Sequence, residues 1–187
     1  KGNICAAFTA DGLRFVAGAA NNCARVWDVR SGQRITEISL GRGPVTSIAH
    51  SPDGKLLAVS SGGYARVYDK RTGQVEYDGM GYYRQIYSVA FAPDGNRIAL
   101  GCVDNACLIH DMKAGKDLRL SVSPAKQQVL GLQLGVKSVS FSRNGEHLVT
   151  GADDNSVILW NTSTGQEIVS LRGHIAGVNS VVFAIDG

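Results

Sequence analysis

Residues 87–115 read YSVAFAPDGNRIALGCVDNACLIHDMKAG, and this stretch decides the fold. Tyr87 to Ala92 alternates bulky and small side chains, the period of a β-strand. Asp94-Gly95 then supplies a strong hairpin turn, with both central positions able to adopt positive φ. Arg97 to Cys102 is a second strand. After a turn at Asp104-Asn105, Ala106 to Asp111 is a third. A fourth is expected beyond Ala114-Gly115. The small face of the first strand (Ser88, Ala90, Ala92) suits a strand near a crowded axis, while bulky residues fill the gap to a neighbouring sheet.

The same pattern recurs along the chain. Turn dipeptides stand at Asp11-Gly12, Asp53-Gly54, Asp94-Gly95, Asn144-Gly145 and Asp186-Gly187, at steps of 42, 41, 50 and 42 residues. The first four are each followed by an aromatic or histidine and an acid or amide: Trp27-Asp28, Tyr68-Asp69, His110-Asp111 and Trp160-Asn161. Three residues after each Asp or Asn comes Ser31-Gly32, Thr72-Gly73, Ala114-Gly115 or Thr164-Gly165. Three markers at fixed mutual offsets in four copies define a repeat. Its units are about 1–40, 41–80, 81–130 and 131–172, with the start of a fifth at 173–187. The long third step puts about eight extra residues within Lys116 to Leu134, where an outer hairpin or loop is expected.

This pattern resembles the WD40 repeat, with its Gly-His, its hairpin Asp-Gly and its closing Trp-Asp. The resemblance spans essentially the whole chain. It implies an all-β architecture of four four-stranded β-propeller blades plus the first strand of a fifth, part of a seven- or eight-bladed ring. It also implies a hydrogen-bonded set within each blade: a histidine, a hydroxyl on the second strand, an aspartate in the next turn and the tryptophan. The fourth blade offers Thr150, Asp154 and Trp160, with Leu132 in the histidine position. Trp27 and Asp28 close the first blade, where Asn21 takes the aspartate position. Tyr68 and Asp69 close the second, where Gly62 replaces the aspartate in a shorter turn. The third has Asp104, with His110 before Asp111. Only Gly173-His174 keeps the Gly-His pair. These residues, Asp154 and His174 included, are expected to be structural.

Composition sets the remaining bounds. The chain has 187 residues, 44% apolar and 19% charged, with 23 glycines and 4 prolines, a globular balance rich in tight turns. Net charge is +3 with basic residues scattered, which argues against a nucleic-acid groove. No apolar run reaches the ~20 residues of a membrane helix, and no signal peptide is visible. Cys5, Cys23, Cys102 and Cys107 form no CxxC pair, so free thiols of an intracellular protein, cytoplasmic or nuclear, are expected rather than a zinc site.

No catalytic constellation stands out, and no cofactor or metal is expected. Asp153-Asp154 is a carboxylate pair in a turn where the resemblance places a structural aspartate. Gly62-Gly63 lacks the helix and lysine of a phosphate loop. Inner-strand positions Thr46, Tyr87, Lys137 and Asn179 differ from copy to copy. The resemblance implies a non-catalytic scaffold that binds other proteins and can self-associate through open blade faces. Two alternatives stay open: a nucleic-acid-associated subunit of a larger complex, and a small-ligand-binding or enzymatic propeller using a central channel. The expected partner patch lies where the link into the third copy shares a rim with the turn between a blade's second and third strands. It comprises Tyr82, Tyr83, Arg84 and Tyr87, with Arg42 and Tyr64 beside them. Tyrosine and arginine combine contact area with hydrogen-bonding tips.

Overall fold

The computed structural model describes residues 5–9, 11–39, 43–70, 72–81, 85–121 and 134–184. Among them every regular element is a strand. The first sheet comprises β1 (Cys5–Phe8), β2 (Arg14–Gly18), β3 (Cys23–Asp28) and β4 (Arg34–Ser39). The second comprises β5 (Val45–His50), β6 (Leu56–Ser61), β7 (Tyr64–Asp69) and β8 (Val75–Gly81). The third comprises β9 (Ile86–Phe91), β10 (Arg97–Cys102), β11 (Ala106–Asp111) and β12 (Lys116–Ser121). The fourth comprises β13 (Val136–Phe141), β14 (His147–Ala152), β15 (Val157–Asn161) and β16 (Glu167–Leu171). Each sheet runs in sequence order, each strand hydrogen-bonded to the next. The expected four-stranded units are therefore present. The extra residues at 122–133, including Leu132, lie outside the described residues, as does Asp186-Gly187.

Turn chemistry explains why the chain breaks where it does. In the Asp-Gly and Asn-Gly turns only glycine takes positive φ, 66° at Gly12, 70° at Gly54, 69° at Gly95 and 72° at Gly145. The preceding Asp or Asn does not, which corrects the expected two-residue turn with both centres at positive φ. Instead Gly54 N–H returns to the Ser51 carbonyl at 2.9 Å, and the Asp53 carboxylate accepts the Ser51 hydroxyl at 2.6 Å and the Lys55 N–H at 3.0 Å. Aspartate acts through its side chain, and glycine supplies the left-handed backbone.

The alternation of the first strand is also corrected. In β5 the register slips between Val45 and Ser47, and in β13 between Val136 and Ser138. This bulge lets Val45 and Ile48, three apart, both point into the core, so burial follows a three-residue rather than a two-residue step.

The chain divides into two compact units, residues 1–89 and 90–187, with the boundary inside β9. In the first, Val16, Ala24 and Val26 of the first sheet pack against Val45, Ile48, Leu57, Val59 and Tyr68 of the second. In the second, Ala99, Cys107, Ile109 and Leu120 pack against Val136, Val139, Leu148, Ile158 and Trp160. Both seams depend on a close approach. A Cβ on Gly18 would lie 2.6 Å from Val45 Cβ, and one on Gly101 would lie 2.7 Å from the Val136 carbonyl. Glycine at that position of the second strand lets the next sheet's inner strand settle against it.

Residues 173–187 were expected to begin a fifth blade with a strand from Val178 to Ala184, and the described part of them ends at 184. That part forms no ladder, because no partner strand is present among the described residues. It nevertheless docks on the fourth sheet: Val178 N–H donates to the Ala152 carbonyl at 2.9 Å and Val181 N–H to Ser138 Oγ at 3.0 Å.

Candidate functional site

The marker residues are where turns are closed. Asp28 accepts the Ser31 N–H at 2.7 Å and the Ser31 hydroxyl at 2.8 Å, and these bonds hold its carboxyl below the ordinary value. Asp69 accepts the Thr72 N–H at 2.6 Å and hydroxyl at 3.0 Å. Asp111 takes the N–H groups of Lys113 and Ala114 at 2.9 and 2.8 Å, and Asn161 those of Ser163 and Thr164, both at 2.9 Å. Each turn ends with a glycine N–H returning to the carbonyl of that Asp or Asn, as Gly73 does to Asp69 at 2.8 Å.

The aromatic position differs by copy. Trp160 is buried and its indole N–H donates to Thr150 Oγ1 at 2.9 Å. Tyr68 is buried in the first unit's core. His110 is buried, with Nδ1 2.6 Å from Asp117 Oδ1. Trp27 is only half-buried. It lies with Phe15 and Phe8 on the face of the first sheet turned away from the core, its ring centroid 5.8 Å from that of Phe15. Strand alternation requires this, since Val16 and Val26 occupy the packed face.

In the fourth blade Asp154 accepts the Ser156 N–H at 3.1 Å and Asn105 Nδ2–H, across the seam from the third blade, at 3.0 Å. Burial raises its pKa, but the Ser156 and Asn105 hydrogen bonds prevail and hold the carboxyl low. Its neighbour Asp153 accepts the Gly135 N–H at 3.2 Å and pairs with Lys137 at 3.2 Å. The carboxylate pair is thus divided between two structural tasks. His174 is exposed in the segment after β16.

Of the expected partner patch, Tyr82, Tyr83, Arg84 and Arg42 lie outside the described residues. Tyr64 opens β7 and is 38% exposed, and Tyr87 is half-buried in β9. The Ile86 N–H donates to the Gly62 carbonyl at 2.8 Å, so the β6–β7 turn and the entry to β9 share one rim.

Two features escaped sequence reasoning. Arg97 spans the seam in the second unit, donating to Thr162 Oγ1 at 3.2 Å and the Gly145 carbonyl at 3.1 Å while pairing with Asp94 at 2.6 Å. In the first unit a cavity of about 790 Å³ opens between the first and second sheets, lined by Arg14, Val26, Ile38, Leu57 and Lys70 among others. Only alignment of the copies after folding relates the two. Among the described residues no group of three or more His, Cys, Asp or Glu could hold a metal ion.

Four-stranded antiparallel sheets repeated along one chain, each closed by a turn capped by an Asp or Asn side chain, define a protein built of propeller-type blades. The family model of the WD domain, G-beta repeat, matches residues 1–28, 33–69, 77–111 and 127–161, and the chain belongs to this WD40 family. Comparison with curated proteins returned no match. WD40 repeats generally serve as scaffolds for protein–protein interaction and are typically non-catalytic.

Proposed function

We propose that this chain is a non-catalytic scaffold in a multiprotein assembly, and that its partner contacts the rim carrying Tyr64 and Tyr87. The Ile86–Gly62 hydrogen bond carries this reading, because it sets an exposed tyrosine and the entry to β9 side by side on a fixed backbone. The acids of the repeat are engaged in turn closure, as Asp28 is by Ser31 and Asp69 by Thr72. Tyrosine on the rim offers a large amphipathic surface at low entropic cost. Cys5, Cys23, Cys102 and Cys107 are free thiols, and burial pushes Cys102 up to about 12. That supports an intracellular, reducing setting.

The test substitutes Tyr64, Tyr83, Arg84 and Tyr87 singly by Ala in the intact protein. Thermal stability and retention of co-purifying proteins are then measured together. Loss of a partner at unchanged melting temperature is expected for at least one variant at Tyr64 or Tyr87. Full retention by all four, or loss that only follows unfolding, overturns the reading.

A further inference from the structure

The seam of the second unit is closed at two points. Arg97 lies over the Phe141 ring, 5.9 Å from its centroid, and reaches Gly145 and Thr162 on the next sheet. A Cβ on Gly145 would meet Pro93 at 3.0 Å and Arg97 at 3.1 Å. Farther out, a Cβ on Gly165 would meet Leu118 at 3.1 Å and Leu120 at 3.4 Å.

The first unit repeats this frame with different side chains. Arg14 opposes Asp28 as Arg97 opposes Asp111, and His50 opposes Leu57 as Phe141 opposes Leu148. Lys70 N–H donates to the Lys55 carbonyl as Thr162 N–H does to Glu146, so Lys70 stands in the place of Thr162. The acceptor that Arg97 uses has become a second cation, and its charge acts against that of Arg14. The outer leucines become Thr36 and Ile38, which oppose Val26 and Ala24 as Leu118 and Leu120 oppose Ile109 and Cys107. A Cβ on Gly54 or on Gly73 would meet nothing within 4 Å. The seam is open at both points, and the cavity of about 790 Å³ is the result.

Its chemistry is specific. Val26 and Leu57 form a buried apolar floor, with Ile38 half-buried and Ile35 at the exposed lip. Arg14, Lys55 and Lys70 bring three cations. The two carboxylates of the lining are engaged locally, Asp11 by the Thr9 hydroxyl and the Leu13 N–H, Asp69 by Thr72. Burial, the largest influence on Lys70, disfavours its charge; the Asp11 and Asp53 carboxylates act against this, while Arg14 adds to it, and the net effect still lowers the ammonium's pKa. An incoming carboxylate would offset both effects.

We propose that the cleft between the first and second blades docks an acidic, aliphatic segment of a partner protein, with a carboxylate between Arg14 and Lys70 and an aliphatic side chain on Val26 and Leu57. A segment fits better than a small metabolite because the cleft opens at the surface along β4, whose side chains are nearly all exposed. The inference rests on the scaffold reading but uses a different surface from the tyrosine rim.

The probe is a fluorescein-labelled peptide amide, glycine-isoleucine-glutamate-leucine-aspartate-glycine, with a twin carrying glutamine and asparagine. Anisotropy is measured on the intact protein at low salt. The acidic peptide is expected to bind at least ~10-fold more tightly than its twin, and Arg14→Gln to lower its affinity by ~10-fold. Lys70→Thr, which restores the acceptor used by Arg97, is expected to abolish binding and raise the melting temperature as Arg14 closes the seam. Native affinity in both variants, equal binding of the twin, or an unchanged melting temperature of Lys70→Thr overturns the proposal. Displacement by free glutarate at equal molar potency overturns it in favour of a small-carboxylate site. A protein that holds partners through Tyr64 and Tyr87 yet ignores the peptide overturns this inference alone. One that binds the peptide but keeps its partners in every rim variant overturns the rim reading alone.

Discussion

Trp160 shows what one residue contributes when its polar tip is satisfied. Its indole is buried and its N–H reaches Thr150. Trp160→Ala is expected to cost about 3–5 kcal/mol, as truncation of a large buried aromatic does. Thr150→Val keeps the shape but leaves the N–H unpaired, and should cost about 1–3 kcal/mol. Chemical denaturation measures both, and a Thr150→Val variant as stable as the parent refutes the role of this bond. His50 makes a pH argument at the same scale. Burial, then the charge of Lys70, lowers its pKa from 6.5 to about 4. Between those values the unfolded chain binds a proton that the folded chain refuses. Stability contributed by the neutral ring is therefore present above pH 6.5 and lost as pH falls toward 4. The residue as a whole is only half-buried, so the effect is smaller than full burial would give. His50→Phe, which copies Phe141, should flatten the melting temperature between pH 7 and pH 4.5. An unaltered pH profile assigns the dependence to other groups.

At the scale of elements, two kinds of glycine behave differently. Gly12 stands at φ 66° in a hairpin turn where a Cβ would meet nothing within 4 Å. Gly12→Ala pays only for left-handed backbone, about 1–2 kcal/mol. Gly101 lies in β10 against the Val136 carbonyl, which a Cβ would approach to 2.7 Å. Gly101→Ala must push the inner strand of the next sheet away, and should cost more, about 2–3 kcal/mol. Urea midpoints of the two variants rank them, and the opposite order contradicts the seam argument. The repeat markers made turn positions legible because Asp, Ser, Thr and Gly act on backbone within a few residues. The bulges at Thr46 and Lys137 were not legible, since a bulge is chosen by the sheet beside it rather than by its own residue.

At the scale of the whole molecule, apolar surface is left uncovered. Phe8 is 62% exposed beside Phe15 and half-buried Trp27, and Ile175 and Val182 are 99% and 82% exposed. Exposed apolar faces and sheet edges favour association. The 187-residue chain should sediment as species whose mass rises with concentration, and Phe8→Glu should reduce that rise. A monomer at all concentrations for the parent chain counts against an open face at Phe8.

The sequence by itself determined the repeat, the four strands per copy and the family, because these follow from local turn chemistry recurring at a fixed period. It also located the shared rim, since Gly62 and Ile86 fall where the repeat places a turn and a strand entry. Tertiary structure alone decided which seams close. Arg14 and Arg97 are the same residue type at the same place in the repeat, and nothing nearby in the sequence separates them. The difference is the residue facing each across the seam, Lys70 or Thr162, contributed by the neighbouring blade about 56 and 65 positions farther along the chain. An interaction between blades cannot be read from within one copy.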